Sequence, residues 1–178
     1  MVSVFIAAGV KMVASEFRSK LLLMLVFLGC LIPVVVYEVL PEVARVVGLK
    51  LGTKRVLPYR DDYKFFLRPW KTGYRGAERF ASEALDQVEK DAIIFADGTT
   101  VYPLLLAQET ANQRKDVTIV SGHGSVDNMS IYSEDFIKNK WDQLDVYVIS
   151  PVKGYCPEFL LDSYHFEHNG VLSKAVKK

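Results

Sequence analysis

An excess of either charge is missing from this sequence, and so is every familiar catalytic signature. Its 22 lysines and arginines nearly balance its 21 aspartates and glutamates, for a formal net charge of +1. That balance leaves no electrostatic footprint for nucleic acid, and no nucleic-acid partner is expected. Cysteine is scarce too. Cys30 lies inside an apolar run and Cys156 far downstream, so a bridge between them is not expected. Two lone thiols make neither a disulfide scaffold nor a zinc site. No G-x-G-x-x-G and no Gly-Lys-Ser/Thr follows the first strand-like run, which excludes a dinucleotide fingerprint and a P-loop. No nucleophile elbow is present. There is no internal repeat and no low-complexity segment. Neither a cofactor nor a catalytic residue is expected.

Long apolar stretches, by contrast, are present, and they are unevenly placed. Half of the residues are hydrophobic, and Leu21 to Tyr37 carries no charge at all. A membrane-spanning helix needs about 20 apolar residues, with a lower limit of about 17, so this run sits at the limit. Pro33 is tolerable there because membrane helices accept proline. The leading expectation is a transmembrane helix over about 21–37, within a membrane-associated segment 1–54. A cleaved signal peptide and a buried helical hairpin are the alternatives. Against the former, the polar lead-in is long and no small-x-small site follows closely. Lys11, Arg18 and Lys20 precede the run, and Arg45 and Lys50 follow it. By the positive-inside rule this places the following domain outside the cytoplasm.

Residues 55–73 form a junction that mixes Arg55, Arg60, Lys64, Arg68 and Lys71 with Tyr59, Tyr63, Phe65, Phe66 and Trp70. Cationic heads and amphipathic rings are both comfortable at a membrane–water boundary. Arg60, Arg68, Trp70 and Lys71 are therefore candidates for head-group contact, with the arginines able to grip phosphate as planar forks. Packing of a solvated collar, with Asp61 and Asp62 neutralising the arginines, explains the same residues without a ligand.

From residue 74 to 178 the pattern is that of an α/β domain. Ala77, Phe80, Ala81, Ala84, Leu85 and Val88 make one helical stripe. Ala92–Ala96, Asp116–Val120 and Asp145–Ile149 read as strands, the first two buried on both faces. Helices are expected at Tyr102–Asn112, with Thr99 or Thr100 as N-cap, and at Ser133–Lys138. Asn169-Gly170 between Tyr164–Glu167 and Val171–Val176 signals a hairpin. The expected architecture is a small three-layer, Rossmann-like domain with a mainly parallel sheet and a C-terminal β-hairpin.

Ligands of such sheets gather at the carboxyl ends of the strands. Asp97, Thr99, Thr100, Ser121 and His123 therefore form a candidate edge for a sugar or an anion. Turn and cap roles account for the same residues. A triad of Ser121 or Ser125 with His123 and Asp97 lacks its elbow. His165, Glu167 and His168 lack a further ligand, so no metal site is expected. Asn128-Met-Ser130 matches a glycosylation acceptor.

Pro58-Tyr-Arg-Asp61, Tyr63, Phe66-Leu67, Pro69-Trp-Lys71 and Gly76-Ala-Glu-Arg-Phe-Ala81 occur in that order. They are followed by Ile94-Phe-Ala-Asp97, Thr99, Leu104–Leu106 and Asp116-Val117. This succession resembles a bacterial family of large polytopic membrane proteins of unknown function. That family is similar to GT-C-type glycosyltransferases and is grouped with the protein O-mannosyltransferase-like enzymes. The resemblance covers roughly the C-terminal two-thirds of the chain. It implies the C-terminal part of such a protein, with the catalytic N-terminal spans elsewhere. The expected role is thus a membrane-anchored accessory domain, not catalytic alone. Its implied partners are the lipid bilayer and a lipid-linked sugar or the missing membrane portion. A small-ligand enzyme using the Asp97/His123 edge and a structural docking module remain the alternatives.

Overall fold

The computed structural model describes residues 9, 11, 19–51, 55–121 and 134–178. The chain divides into two compact units: Met1–Gly52 with Asp61–Lys71, and Thr53–Arg60 with Thr72–Lys178. The basic and aromatic junction is therefore not one element, because its first residues belong to the second unit and most of the rest to the first.

In the first unit, α1 (Ser19–Val46) is a single helix of 28 residues, about 42 Å long at 1.5 Å per residue. It is long and apolar enough to cross a membrane. Its apolar side chains are exposed over most of its length, Phe27 by 65% and Ile32 by 61%, while Pro41 and Ala44 near its end are buried. The helix does not stop at the end of the uncharged run but continues through Glu38 and Pro41. Its true end is chemical. Gly48 adopts a φ of 72°, and the Gly48 and Leu49 N–H groups donate to Arg45 O at 3.1 Å and Ala44 O at 2.9 Å. This left-handed glycine cap satisfies carbonyls that a helix end otherwise strands. A short helix, α2 (Asp62–Leu67), is capped at its start by Asp61, whose carboxylate accepts the Lys64 N–H at 3.2 Å.

The second unit is a mixed α/β fold. In chain order it holds α3 (Gly76–Gln87), β1 (Ile93–Ala96), α4 (Val101–Thr110), β2 (Thr118–Ser121) and α5 (Glu134–Lys140). A short 3-10 turn at Trp141–Gln143 leads to β3 (Val146–Val148), α6 (Glu158–Ser163), β4 (Tyr164–Asn169) and β5 (Leu172–Lys177). The strands form one sheet in the order β2-β1-β3-β5-β4. β1 runs parallel to β2 and β3. β5 runs antiparallel to β3 and to β4. The sheet is thus mixed, not mainly parallel. The three parallel strands are the expected ones, and the final antiparallel pair joins their sheet at β3.

Strand side chains alternate between two separate cores, as a pleated backbone requires. Ile94, Ala96, Ile119 and Tyr147 pack with Phe80, Ala84 and Leu85 of α3 and with Leu104 of α4. Ile93, Phe95, Val120 and Val148 pack with Ile137 of α5 and Leu160 of α6. β1 is consequently buried along its whole length, which is why it reads as a continuous apolar run without alternation. The stripe on α3 is buried at Phe80, Ala81, Ala84 and Leu85, while Ala77 is exposed. The end of α3 is closed by a side chain from afar. Arg114 donates to Leu85 O at 2.8 Å, Val88 O at 2.9 Å and Glu89 O at 2.8 Å.

Candidate functional site

The carboxyl ends of the parallel strands carry Asp97 just past β1, Ser121 at the end of β2 and Ser150 beyond β3. All three are buried. Asp97 is the centre of this edge. Its Oδ1 accepts the Thr99 N–H at 2.7 Å and its Oδ2 accepts the Thr100 hydroxyl at 2.9 Å. The Thr100 and Val101 N–H groups donate to the Asp97 carbonyl at 3.0 and 2.9 Å. The entry to α4 is therefore organised by the aspartate. Thr100 occupies the N-cap position but makes no side-chain cap bond there.

Arg55 completes the cluster. Its Nη1 lies 2.5 Å from Asp97 Oδ2, and both side chains are almost wholly buried, at 5% and 3% exposure. The same Nη1 donates to Ser150 Oγ at 3.2 Å. The guanidinium lies over the Tyr155 ring, 4.1 Å from its centroid. Burial pushes the Asp97 carboxyl up, but Arg55, the Thr99 N–H and the Thr100 hydroxyl outweigh it and hold the group below its usual range. Ionised and accepting at both oxygens, Asp97 ties the turn after β1 to the segment before Pro58 and to the exit of β3. Asp97 is 2% exposed, and each of its oxygens accepts a bond from the fold.

Of the candidate residues, Asp97, Thr99 and Thr100 are thus brought together. Ser121 lies at the end of the neighbouring strand, in register with Ala96. His123 lies outside the described residues, as do Ser125, Ser133 and the acceptor motif Asn128–Ser130. His165 and Glu167 approach to 3.6 Å on β4. Among the described residues no group of three or more His, Cys, Asp or Glu could hold a metal ion.

The junction candidates are divided between the units. Arg60 belongs to the second, where its N–H donates to Leu57 O at 3.3 Å. Arg68, Trp70 and Lys71 belong to the first. Arg68 and the Trp70 indole N–H both donate to Glu38 of α1, the latter at 3.0 Å. The Trp70 ring meets Tyr37 edge-on at 5.9 Å, and Arg45 donates to Asp61 at 2.7 Å. Lys71 donates to the carbonyls of Lys64, Phe65 and Arg68, closing the end of α2. Within the first unit Arg68 is matched by Glu38, while Glu42 and Asp61 pair with Arg45 of α1.

Two features were not read from the sequence. Arg55 reads in the sequence as one of the bases of the junction, and nothing in its neighbourhood signals a buried partner. A groove of about 970 Å³ between α3 and α4, lined by Tyr74, Tyr102, Pro103, Leu105 and Leu106, is the other. Tyr102 and Leu106 are exposed by 60% and 62%, on the side of α4 opposite the buried Val101, Leu104 and Gln108. Comparison with protein families, with curated proteins and with solved structures gives no match for this chain.

Proposed function

We propose that this protein is a membrane-anchored accessory domain of a glycosyltransferase-like membrane protein, with no sugar transfer of its own. The observation that carries the anchoring is α1. Its apolar surface is exposed over most of its length, and a hydrocarbon environment removes that surface from water without cost to the backbone, whose hydrogen bonds the helix satisfies internally. The Glu38–Arg68–Trp70 cluster beside Tyr37 suits the level where the span leaves the bilayer, since aromatic and basic side chains favour that interface. The motif succession from Pro58 to Val117 supports the kinship with GT-C-type and protein O-mannosyltransferase-like enzymes.

The accessory role is supported by the strand-end edge, where the candidate carboxylate is neutralised by Arg55. In this reading the α/β unit is a three-layer, Rossmann-like module with a C-terminal hairpin, held outside the cytoplasm. It orients a lipid-linked sugar or an acceptor for catalytic spans that these 178 residues do not contain. The enzyme alternative on the Asp97/His123 edge draws no support from the Asp97 geometry. The test is sugar transfer from a lipid-linked donor by the purified chain in bilayers. No turnover is expected, and robust turnover would overturn the accessory role.

A further inference from the structure

The sheet ends in two unlike edges. β2 is short, Thr118–Ser121, whereas β4 runs for six residues and pairs without a bulge from Tyr164↔Lys177 to Asn169↔Leu172. Among the described residues only β5 pairs with β4. Natural edge strands are guarded by lysine, proline, bulges or shortness, because an open row of N–H and C=O groups is a template for another strand. β4, with the sequence Tyr-His-Phe-Glu-His-Asn, has none of these guards.

Its open groups can be identified. Asn169 and Leu172 face each other across the two-residue turn Gly170-Val171, with Gly170 at a φ of 58°. The pair closing such a turn exchanges both of its hydrogen bonds, and the pattern repeats every second residue. Glu167 and His165 therefore bond to β5, and Phe166 and His168 turn their backbone groups to the open side, whereas the Tyr164 N–H is taken by the Leu160 carbonyl at the end of α6.

We infer that β4 pairs antiparallel with β4 of a second copy of this chain, Phe166 opposite Phe166, joining two five-stranded sheets. A two-fold axis normal to the sheet brings like residues together and makes the contact isologous. In this register His165 of each copy stands opposite Glu167 of the other, and Tyr164 stands opposite His168. The outer row presents an alternating imidazole–carboxylate arrangement, complementary to itself. The inner row sets two phenyl rings side by side, an arrangement favoured between strands. Phe166 packs against the same core as Tyr164, while His165 and Glu167 are exposed by 48% and 66%, accessible to a partner. A single-residue slip would place side chains on the wrong face, so the register is specified.

The test uses the full chain in lipid nanodiscs or detergent, with Cys30→Ser to remove the exposed thiol and with two distinguishable tags. Copies carrying His165→Cys and Glu167→Cys are expected to form a disulfide between differently tagged chains, because directly opposite strand residues lie within bridging distance. Copies carrying His165→Cys and His168→Cys, on opposite faces, are expected to form none. His165→Glu should weaken dimerisation by about tenfold or more by light scattering, and the exchange His165→Glu with Glu167→His should restore it. His168→Pro removes an outward N–H without removing a bond of the β5 ladder, and it should give a folded monomer whose melting temperature no longer depends on concentration. Equal cross-linking of matched and mismatched pairs, or a monomer at every concentration, would overturn the inference.

Discussion

Arg55 and Asp97 meet at 2.5 Å inside the fold, each almost fully buried. Removing one partner leaves the other as an uncompensated buried charge, which is the expensive event; replacing both by apolar residues is far milder. Arg55→Met and Asp97→Leu singly are expected to lose roughly 3–5 kcal/mol. The double variant should recover much of that loss. Denaturant unfolding followed through Trp141, which stacks on Tyr164 at 3.9 Å, measures both. Additive losses in the double variant would show that the two groups do not act as a pair.

Acid should weaken the α/β unit. Asp97 is held below its usual range by the groups that outweigh its burial. Glu89 is held low first by the Tyr147 hydroxyl and then, against its burial, by Lys174. A carboxylate with a depressed folded pKa contributes stability that is fully present above its unfolded value of about 4 and is lost as pH falls through the folded value. Stability should therefore be flat near neutrality and decline below about pH 4. Asp97→Asn should shift that decline relative to the native chain. Identical acid profiles would remove Asp97 from the account.

Alkali should act through other groups. Burial pushes the Cys156 thiol to about 12. Burial, then the Glu89 carboxylate, pushes the Tyr147 hydroxyl to about 12. Groups with raised folded pKa values contribute stability that is complete below their unfolded values and is lost as pH rises toward the folded ones. The native protein should therefore lose stability gradually above about pH 9. Cys156 should resist thiol reagents until the unit unfolds, which mass spectrometry after timed alkylation reports.

Gly76 marks a close approach. A Cβ there would lie 2.3 Å from the Tyr59 carbonyl oxygen and 2.7 Å from the Tyr74 hydroxyl. Gly76→Ala must displace the backbone around Tyr59, whose hydroxyl donates to Glu83 and whose ring lies under Arg79 at 4.1 Å. A loss of about 1–3 kcal/mol is expected, the usual range for overpacking. Gly98, with open space around it, serves as the control, and thermal melts of the two variants separate the effects.

What the sequence discloses follows the length of each signal. β1, β2 and β3 are legible because buried strands are short apolar runs, and α3 because its stripe spans three turns. α2 and α6 are not, since six residues carry no periodicity and each is defined by caps such as Asp61 and by packing such as that of Leu160. The uncharged run marks only part of α1, because the helix continues past it through Glu38 and Pro41. Pro41 lies inside the helix, and Glu38 is matched by Arg68 and Trp70 from the junction. The turn residues Asp97 to Thr100 were visible as a candidate edge. Their buried partner Arg55 was not, because an ion pair between distant segments leaves no local pattern.

Anchoring by α1 is the claim on which the rest depends, and alkaline carbonate extraction of membranes from cells producing the full chain tests it most directly. The chain should remain in the membrane pellet. A variant with Leu28→Arg and Val35→Arg should move toward the supernatant, because each arginine near the centre of a span costs about 2.5–3.5 kcal/mol on the insertion scale. Release of the native chain by carbonate, equal to that of the arginine variant, would contradict the account.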